Sequence, residues 1–179
     1  AMGADLRSAG AGVAIAPAGE LAPFDLVVPG DISSAAFLLA AGVLTPGSDV
    51  LIRNVGINPT RTGILDVLRA MGADVTVLDE RQAGGEPVAD LRARTSQLRG
   101  VEIAGDLIPR LIDELPILAV IATQAQGVTV IRDAGELRVK ETDRIATVAT
   151  QLRTLGAHVK EYPDGFVIDG PVELRSAPV

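Results

Sequence analysis

Leu68-Arg69-Ala70-Met71-Gly72-Ala73-Asp74-Val75 and Leu152-Arg153-Thr154-Leu155-Gly156-Ala157-His158-Val159 are one pattern written twice. In each, an apolar-periodic run stops at a glycine and passes into a new apolar segment. That pattern predicts a helix, its C-terminal glycine and a strand. Working outward, Gly30-Asp31-Ile32 recurs as Gly105-Asp106-Leu107. Leu51-Ile52-Arg53-Asn54-Val55-Gly56 recurs as Val130-Ile131-Arg132-Asp133-Ala134-Gly135. Three matches in one order define two related units of roughly 75–85 residues, at about 25–100 and 101–179.

Both units read alike. After Gly-Asp an apolar helix is expected, over 33–44 in the first unit and about 113–124 in the second. A β-branched strand follows, at 49–54 and 128–132. A second helix carries Ile64, Leu65, Leu68 and Met71, then Ile145, Val148, Leu152 and Leu155, at helical spacing. Two strands close each unit, 74–78 with 90–94 and 158–162 with 165–169. The order β-α-β-α-β-β is an α+β fold with helices packed on one face of the sheets. The first helices are expected to be buried and the more amphipathic second ones half exposed.

Ala1-Met2-Gly3-Ala4-Asp5-Leu6 resembles Ala70-Met71-Gly72-Ala73-Asp74-Val75, and Val13-Ala14-Ile15 then reads as a closing strand. Residues 1–24 are therefore expected to be the closing strands of a preceding unit, with a boundary near 21–28, and the chain reads as a piece of a longer one. An ordinary N-terminal hairpin is the alternative; the recurrence of Met-Gly-Ala-Asp favours the former.

Composition excludes several functions. With 23 acidic and 16 basic residues the net charge is −7, which disfavours a phosphate-backbone surface. No Trp, one Tyr and three Phe leave no base-stacking platform, so nucleic acid is not an expected partner. The absence of cysteine removes disulfides, thiolate nucleophiles and zinc-thiolate sites, and the lone His158 cannot make a multi-histidine cluster. The longest apolar stretches, 35–44 and 115–122, are too short to span a bilayer. A cytoplasmic protein is expected.

One stretch departs from scattered surface charge. Arg138-Val139-Lys140-Glu141-Thr142-Asp143-Arg144 puts five charges in seven positions at the start of the 145–155 helix. If the first turn is helical, Lys140 and Arg144 share a face, as do Glu141 and Arg144. Cations there oppose the macrodipole unless an anion binds, on which free N–H groups and both cations would converge. Glu141 could then serve as an acid or base tuned by those neighbours. The plainer reading is a solvated helix start with an internal Glu–Arg pair worth a few tenths of a kcal/mol. Against it, the first unit has only Asn58-Pro59-Thr60-Arg61-Thr62-Gly63, with one cation, at the same place.

A second candidate is Leu111-Ile112-Asp113-Glu114-Leu115-Pro116, two carboxylates opening an apolar helix with proline in its first turn. Asp113 can cap the helix, face a ligand hydroxyl, or do both. In Gly30-Asp31-Ile32-Ser33-Ser34 the roles read as structural, with Ser33 or Ser34 capping and Asp31 setting the turn.

At these residues the chain resembles the enolpyruvyl transferase family, and within it the shikimate-pathway synthases. The resemblance rests on Pro29-Gly30-Asp31-Ile32-Ser33-Ser34-Ala35-Ala36-Phe37, Asn58-Pro59-Thr60-Arg61-Thr62-Gly63, Ile112-Asp113-Glu114-Leu115-Pro116 and Glu136-Leu137-Arg138-Val139-Lys140-Glu141-Thr142-Asp143-Arg144. It implies two domains of three such units each, with 25–179 supplying two units of the second domain and 1–24 the tail of the other. It also implies transfer of the enolpyruvyl group of phosphoenolpyruvate to the 5-hydroxyl of shikimate 3-phosphate, releasing inorganic phosphate, without a metal or organic cofactor. Carried over, Asp113 contacts the shikimate ring hydroxyls and accepts a proton, and Lys140 binds shikimate 3-phosphate. Glu141 handles the proton at the methylene carbon and Arg144 binds phosphoenolpyruvate. Glu136 lies where some relatives use Asn to contact shikimate 3-phosphate. The family's Asp-His-Arg motif is not found here. The chain alone is thus expected to be inactive and prone to self-association, whereas an intact synthase is expected to be a monomer. The related UDP-N-acetylglucosamine enolpyruvyl transferases and a non-catalytic α+β binding module are the competing readings; Lys140-Glu141-Thr142-Asp143-Arg144 favours the synthase.

Overall fold

The repeated glycine is where the two units are most visibly alike. The computed structural model describes residues 2–10 and 12–177. Gly72 has φ +86° and Gly156 φ +97°, a left-handed conformation that costs glycine no Cβ clash. The Ala73 and Ala157 amides reach back to Leu68 O and Leu152 O, each at 2.9 Å, closing the same C-terminal motif twice. A second pair of repeat-equivalent residues, Asn54 (φ +56°) and Asp133 (φ +63°), is also left-handed. Asn and Asp tolerate this better than other side-chain-bearing residues. Their amides donate to carboxylates of the closing hairpins, Asn54 N to Asp90 at 2.8 Å and Asp133 N to Asp164 at 3.0 Å.

In the first unit α1 (Ile32–Leu44) is followed by β3 (Asp49–Gly56), α2 (Gly63–Ala70), β4 (Asp74–Ala83) and β5 (Glu86–Arg94). The sheet order is β3-β5-β4, antiparallel throughout. Here the closing hairpin runs past the expected 74–78 and 90–94. Pairing resumes beyond a bulge, at Arg81↔Val88, Gln82↔Pro87 and Ala83↔Glu86, with Asp79 left-handed at the bulge. The unit's opening strand is reduced to one parallel bridge, Gly30↔Val55. Pro29 has no N–H to extend a ladder, and the chain enters α1 at once.

The second unit keeps its opening strand. β6 (Glu102–Ile103) lies parallel to β7 (Gly127–Ile131), and β8 (His158–Tyr162) and β9 (Gly165–Gly170) complete the order β6-β7-β9-β8. Between β6 and β7 come a 3-10 segment, Gly105–Arg110, and α3 (Leu115–Ala122). Another 3-10 segment, Gly135–Val139, precedes α4 (Arg144–Thr154).

One aliphatic core joins the units, with Leu39 and Val43 of α1, Ile64 and Leu68 of α2, Leu115 and Leu118 of α3 and Ile145 of α4 all buried in it. Two expectations about the helices need correction. First, α1 is not buried all round: Phe37 is 64% and Leu38 51% exposed, because no element among the described residues covers that side. Second, α2 is more deeply buried than a half-exposed helix, with Ile64, Leu65, Val67 and Leu68 all inside. The residues entering α3 explain this, since Leu111 packs so close to α2 that a Cβ on Gly63 would stand 3.0 Å from the Leu111 Cβ. α4 is half exposed, as its amphipathic pattern predicts.

Ahead of both units, β1 (Leu6–Ala9) and β2 (Gly12–Ile15) pair antiparallel, exposed along both strands. Gly3 has φ +86°, matching Gly72 and Gly156. Ala1, from the matched Ala1-Met2-Gly3 run, and residues 178–179 of the second unit lie outside the described residues.

Candidate functional site

Helix starts organise the charged residues, though not always as the spacing predicts. α3 begins at Leu115 and its N-cap is Glu114, which makes no side-chain capping bond. Asp113 therefore does not cap the helix. It sits in the turn before it, and its side chain stays 46% exposed. At α1 the cap is Asp31, accepting from Ser34 N at 2.8 Å and from the Ser34 hydroxyl at 3.0 Å, so neither serine is the cap.

Lys140 and Arg144 do not share a helix face either. Residues 141–143 are not helical, and Lys140 has extended backbone at the end of the 3-10 segment. Asp143 caps α4 by accepting from Ala146 N at 2.9 Å. The expected convergence of free amides on a bound anion is thus overturned: a carboxylate of the chain already occupies that helix start, where the dipole favours it. Hydrogen bonds from the backbone and from Arg138 hold Asp143 below the ordinary carboxylate range. Arg138 is a brace, reaching Asp143 at 2.8 Å, Glu161 at 2.8 Å and the Pro163 carbonyl at 2.9 Å.

All five predicted site residues nonetheless come together. Arg144 Nη1 lies 3.1 Å from Asp113 Oδ1, while its Nε and Nη2 grip both oxygens of Glu141 at 2.9 and 3.0 Å. Lys140 Nζ is 3.0 Å from Glu136 and 3.9 Å from the same Asp113 oxygen. The two cations are the inner members, 25% and 26% exposed, against 46% to 66% for the three carboxylates. The carboxylates of Glu136 and Glu141 are the most exposed members of the cluster and compete with any external anion for the two cations. Hydrogen bonding to its own backbone amide and to Arg144 keeps the Glu141 carboxyl below its ordinary range, which favours the ionised form. Among the described residues no group of three or more His, Cys, Asp or Glu side chains is placed to hold a metal ion.

Spacing did not disclose a neighbouring network. Glu114 is 1% exposed, and its carboxylate accepts a short hydrogen bond from Ser33 Oγ of α1. Arg61 Nη2 donates to the same hydroxyl at 2.9 Å and stands 3.6 Å from Asp31. Burial pushes the Glu114 carboxyl above its ordinary range, opposed by Ser33 and Arg61. The available signal was an ionisable residue inside the otherwise apolar Leu115–Ala122 approach, at a position that needs a partner if buried.

Comparison with known proteins follows the same residues. A family model described as EPSP synthase (3-phosphoshikimate 1-carboxyvinyltransferase) matches residues 1–179. The 3-phosphoshikimate 1-carboxyvinyltransferase of Geobacter sulfurreducens is 57% identical over 177 residues, covering 99% of this chain and 41% of that protein. The enzyme of the same name from Gloeothece citriformis is 63% identical over 154 residues, covering 86% of this chain and 34% of its own length. Among solved structures, EPSP synthase from Acinetobacter baumannii superposes with TM-score 0.90 at 43% identity, covering 96% of this chain and 39% of that one. The enolpyruvyl transferase NikO from Streptomyces tendae, at TM-score 0.66 and 24% identity over 95% of this chain and 38% of its own, shares the fold. The chain spans about two fifths of the length of the curated relatives it matches.

Proposed function

The chain belongs to the EPSP synthase family, and from that premise we propose that its charged cluster is one wall of a site that transfers the enolpyruvyl group of phosphoenolpyruvate to the 5-hydroxyl of shikimate 3-phosphate. The observation that carries this reading is the meeting of Asp113, Lys140, Glu141 and Arg144 at ion-pair distance from two separate helix approaches. Both substrates are multiply charged anions, and two shielded cations behind displaceable carboxylates suit them. Lys140 takes shikimate 3-phosphate, Asp113 its ring hydroxyls and the 5-hydroxyl proton, and Arg144 phosphoenolpyruvate. Glu141, relieved of its hold on Arg144 by that anion, takes up a proton and gives it to the methylene carbon as the 5-oxygen adds to the neighbouring carbon; it takes a proton back as the C–O bond to inorganic phosphate breaks. Glu136 borders the shikimate 3-phosphate side of the cluster.

Residues 25–100 and 101–179 serve in this reading as two of three units of one domain, and 1–24 as closing strands of a preceding unit; the left-handed Gly3 supports it. Since transition-state stabilisation draws on groups on both sides of a cleft, the 179 residues alone bind without turnover. A phosphate-release assay with both substrates is expected to show none, and turnover like that of an intact synthase would overturn the point. We place the protein in the cytoplasm; no described helix is long and apolar enough to cross a membrane.

Substrate identity is tested by amide shift mapping. Shikimate 3-phosphate is expected to perturb signals near Asp113 and Lys140, and UDP-N-acetylglucosamine is not. The reverse pattern assigns the site to the sugar-nucleotide branch, and silence with both ligands removes the reading.

A further inference from the structure

Three helix starts meet at one hydroxyl. Ser33 opens α1, Arg61 stands in the turn before α2, and Glu114 is the N-cap of α3. Ser33 Oγ donates to Glu114 and accepts from Arg61, linking residues 81 apart in sequence and belonging to different units. Such a buried carboxylate is retained at a cost unless its partners are well placed, and here both come from the first unit.

Asp113 immediately precedes Glu114 in the chain. Among the described residues its only side-chain partners are Arg144 and Lys140, the two cations that the proposed substrates would occupy. Once an anion takes Arg144, nothing in the side-chain contacts of Asp113 fixes its aim. The turn that carries it does: Leu111 on one side is 1% exposed, Glu114 on the other is 1% exposed, and the Glu114 amide closes onto Leu111 O at 2.9 Å. Glu114 lends its carboxylate to Ser33 rather than to an amide of its own helix, so the start of α3 is held sideways, by the first unit, instead of by a cap.

We propose that Glu114 is a positioning residue for Asp113, fixed by the Ser33 hydroxyl with Arg61 behind it, so that the first unit sets the geometry of a carboxylate that works in the second. This rests on the reading of Asp113 as a substrate contact.

The experiment compares the 179-residue chain with its Ser33→Ala, Glu114→Ala, Glu114→Gln and Arg61→Ala variants by amide hydrogen exchange and by titration with shikimate 3-phosphate. Glu114→Gln keeps an acceptor for Ser33 and is the conservative rescue. Arg61→Ala alters a half-exposed side chain, so it provides a folded variant even if the buried changes unfold the chain. In Ser33→Ala and Arg61→Ala the Glu114 amide is expected to exchange at least 10-fold faster while the Val130 amide, bonded to Val101 O at 2.9 Å in the β-layer, stays unchanged. Shikimate 3-phosphate binding should weaken about 10-fold in parallel, and Glu114→Gln should lie near the wild type. Should Ser33→Ala fail to fold, Arg61→Ala alone decides. The proposal is overturned if both amides accelerate together, which is general loss of stability, or if the turn loosens with affinity unchanged. Local loosening in a chain whose wild type ignores shikimate 3-phosphate removes the substrate assignment and leaves the tether of the Asp113 turn in place.

Discussion

Arg144 meets Asp113 at 3.1 Å from 31 residues further along the chain, and the same guanidinium holds both oxygens of Glu141. One cation therefore ties together the two carboxylates proposed to move protons. Replacing it removes a planar fork that an ammonium cannot reproduce. Arg144→Ala is expected to weaken phosphoenolpyruvate binding about 10- to 150-fold, the range given by ~1.5–3 kcal/mol for hydrogen bonds to a charged group. Arg144→Lys should recover little of it. Titration calorimetry in the presence of shikimate 3-phosphate checks both.

Glu136 gives an opposite sign. Its carboxylate is 3.0 Å from Lys140 and 66% exposed, so it competes with a substrate phosphate for that ammonium. Exposed pairs are worth about 0–1 kcal/mol, which corresponds to at most about a five-fold effect. Glu136→Gln is thus expected to tighten shikimate 3-phosphate binding by a few-fold, with stronger salt dependence because the site becomes more positive. Loss of affinity in the same titration would mean that the carboxylate itself contacts the ligand.

Much of this was legible because it repeats. The left-handed Asn54 and Asp133, and the helix-ending Gly72 and Gly156, fall at positions that the sequence comparison pairs. The residues at the site were legible as a charge run plus an acidic helix start. Their roles at the helix ends were not. Whether Asp113 or Glu114 caps α3, and whether Asp143 or an external anion satisfies α4, turns on where a backbone leaves helical geometry, which shifts by a residue or two without changing the pattern. The Ser33–Glu114 contact was invisible for another reason: it joins the two units, and a comparison of one unit with the other contains nothing about how they pack.

Asp49 predicts an acid-stability effect. Hydrogen bonds from Arg92, followed by Arg94, lower its pKa to about 2 from an ordinary 3.8. A depressed folded-state value means that this contribution is present above the unfolded pKa and is lost as pH falls through the folded one. Wild-type stability should decline between about pH 4 and pH 2, and Asp49→Asn should flatten that part of the curve while lowering stability at neutral pH. Urea unfolding across the interval measures the slope; equal slopes for both proteins would deny Asp49 this part.

Gly63→Ala sets two effects against each other. Alanine favours helix by up to about 1 kcal/mol, and less at a first position. Its Cβ would lie 3.0 Å from the Leu111 Cβ and 3.1 Å from that of Arg110, atoms near the backbone of the segment leading to Asp113. Leu111 is buried and cannot step aside, so overpacking at about 1–3 kcal/mol should win. A lower denaturation midpoint together with shifted amide signals at Asp113 is expected; unchanged signals there would show that the turn is not wedged against α2.

The uncovered side of α1 leads to the last expectation. Phe37 is 64% exposed and borders a groove of about 490 Å³ whose wall includes Ile117 and Val120 of α3 and Val148, Leu152 and Leu155 at α4. Leu38, 51% exposed, extends the apolar surface along α1. Contiguous apolar surface of this kind seldom stays in water, and burying one large side chain is worth about 1.5–3 kcal/mol. A second copy offers a ready cover for the isolated 179 residues, since the groove of one can accept the Phe37 of another. Sedimentation should therefore show mass rising with concentration for the wild type and a monomer for Phe37→Lys, which places a charge on the exposed rim without entering the core. Because Phe37 lies outside the charged cluster, the same variant should bind shikimate 3-phosphate as the wild type does. A wild type that stays monomeric up to millimolar concentration would show that this face remains solvated by itself, and would remove the case for self-association.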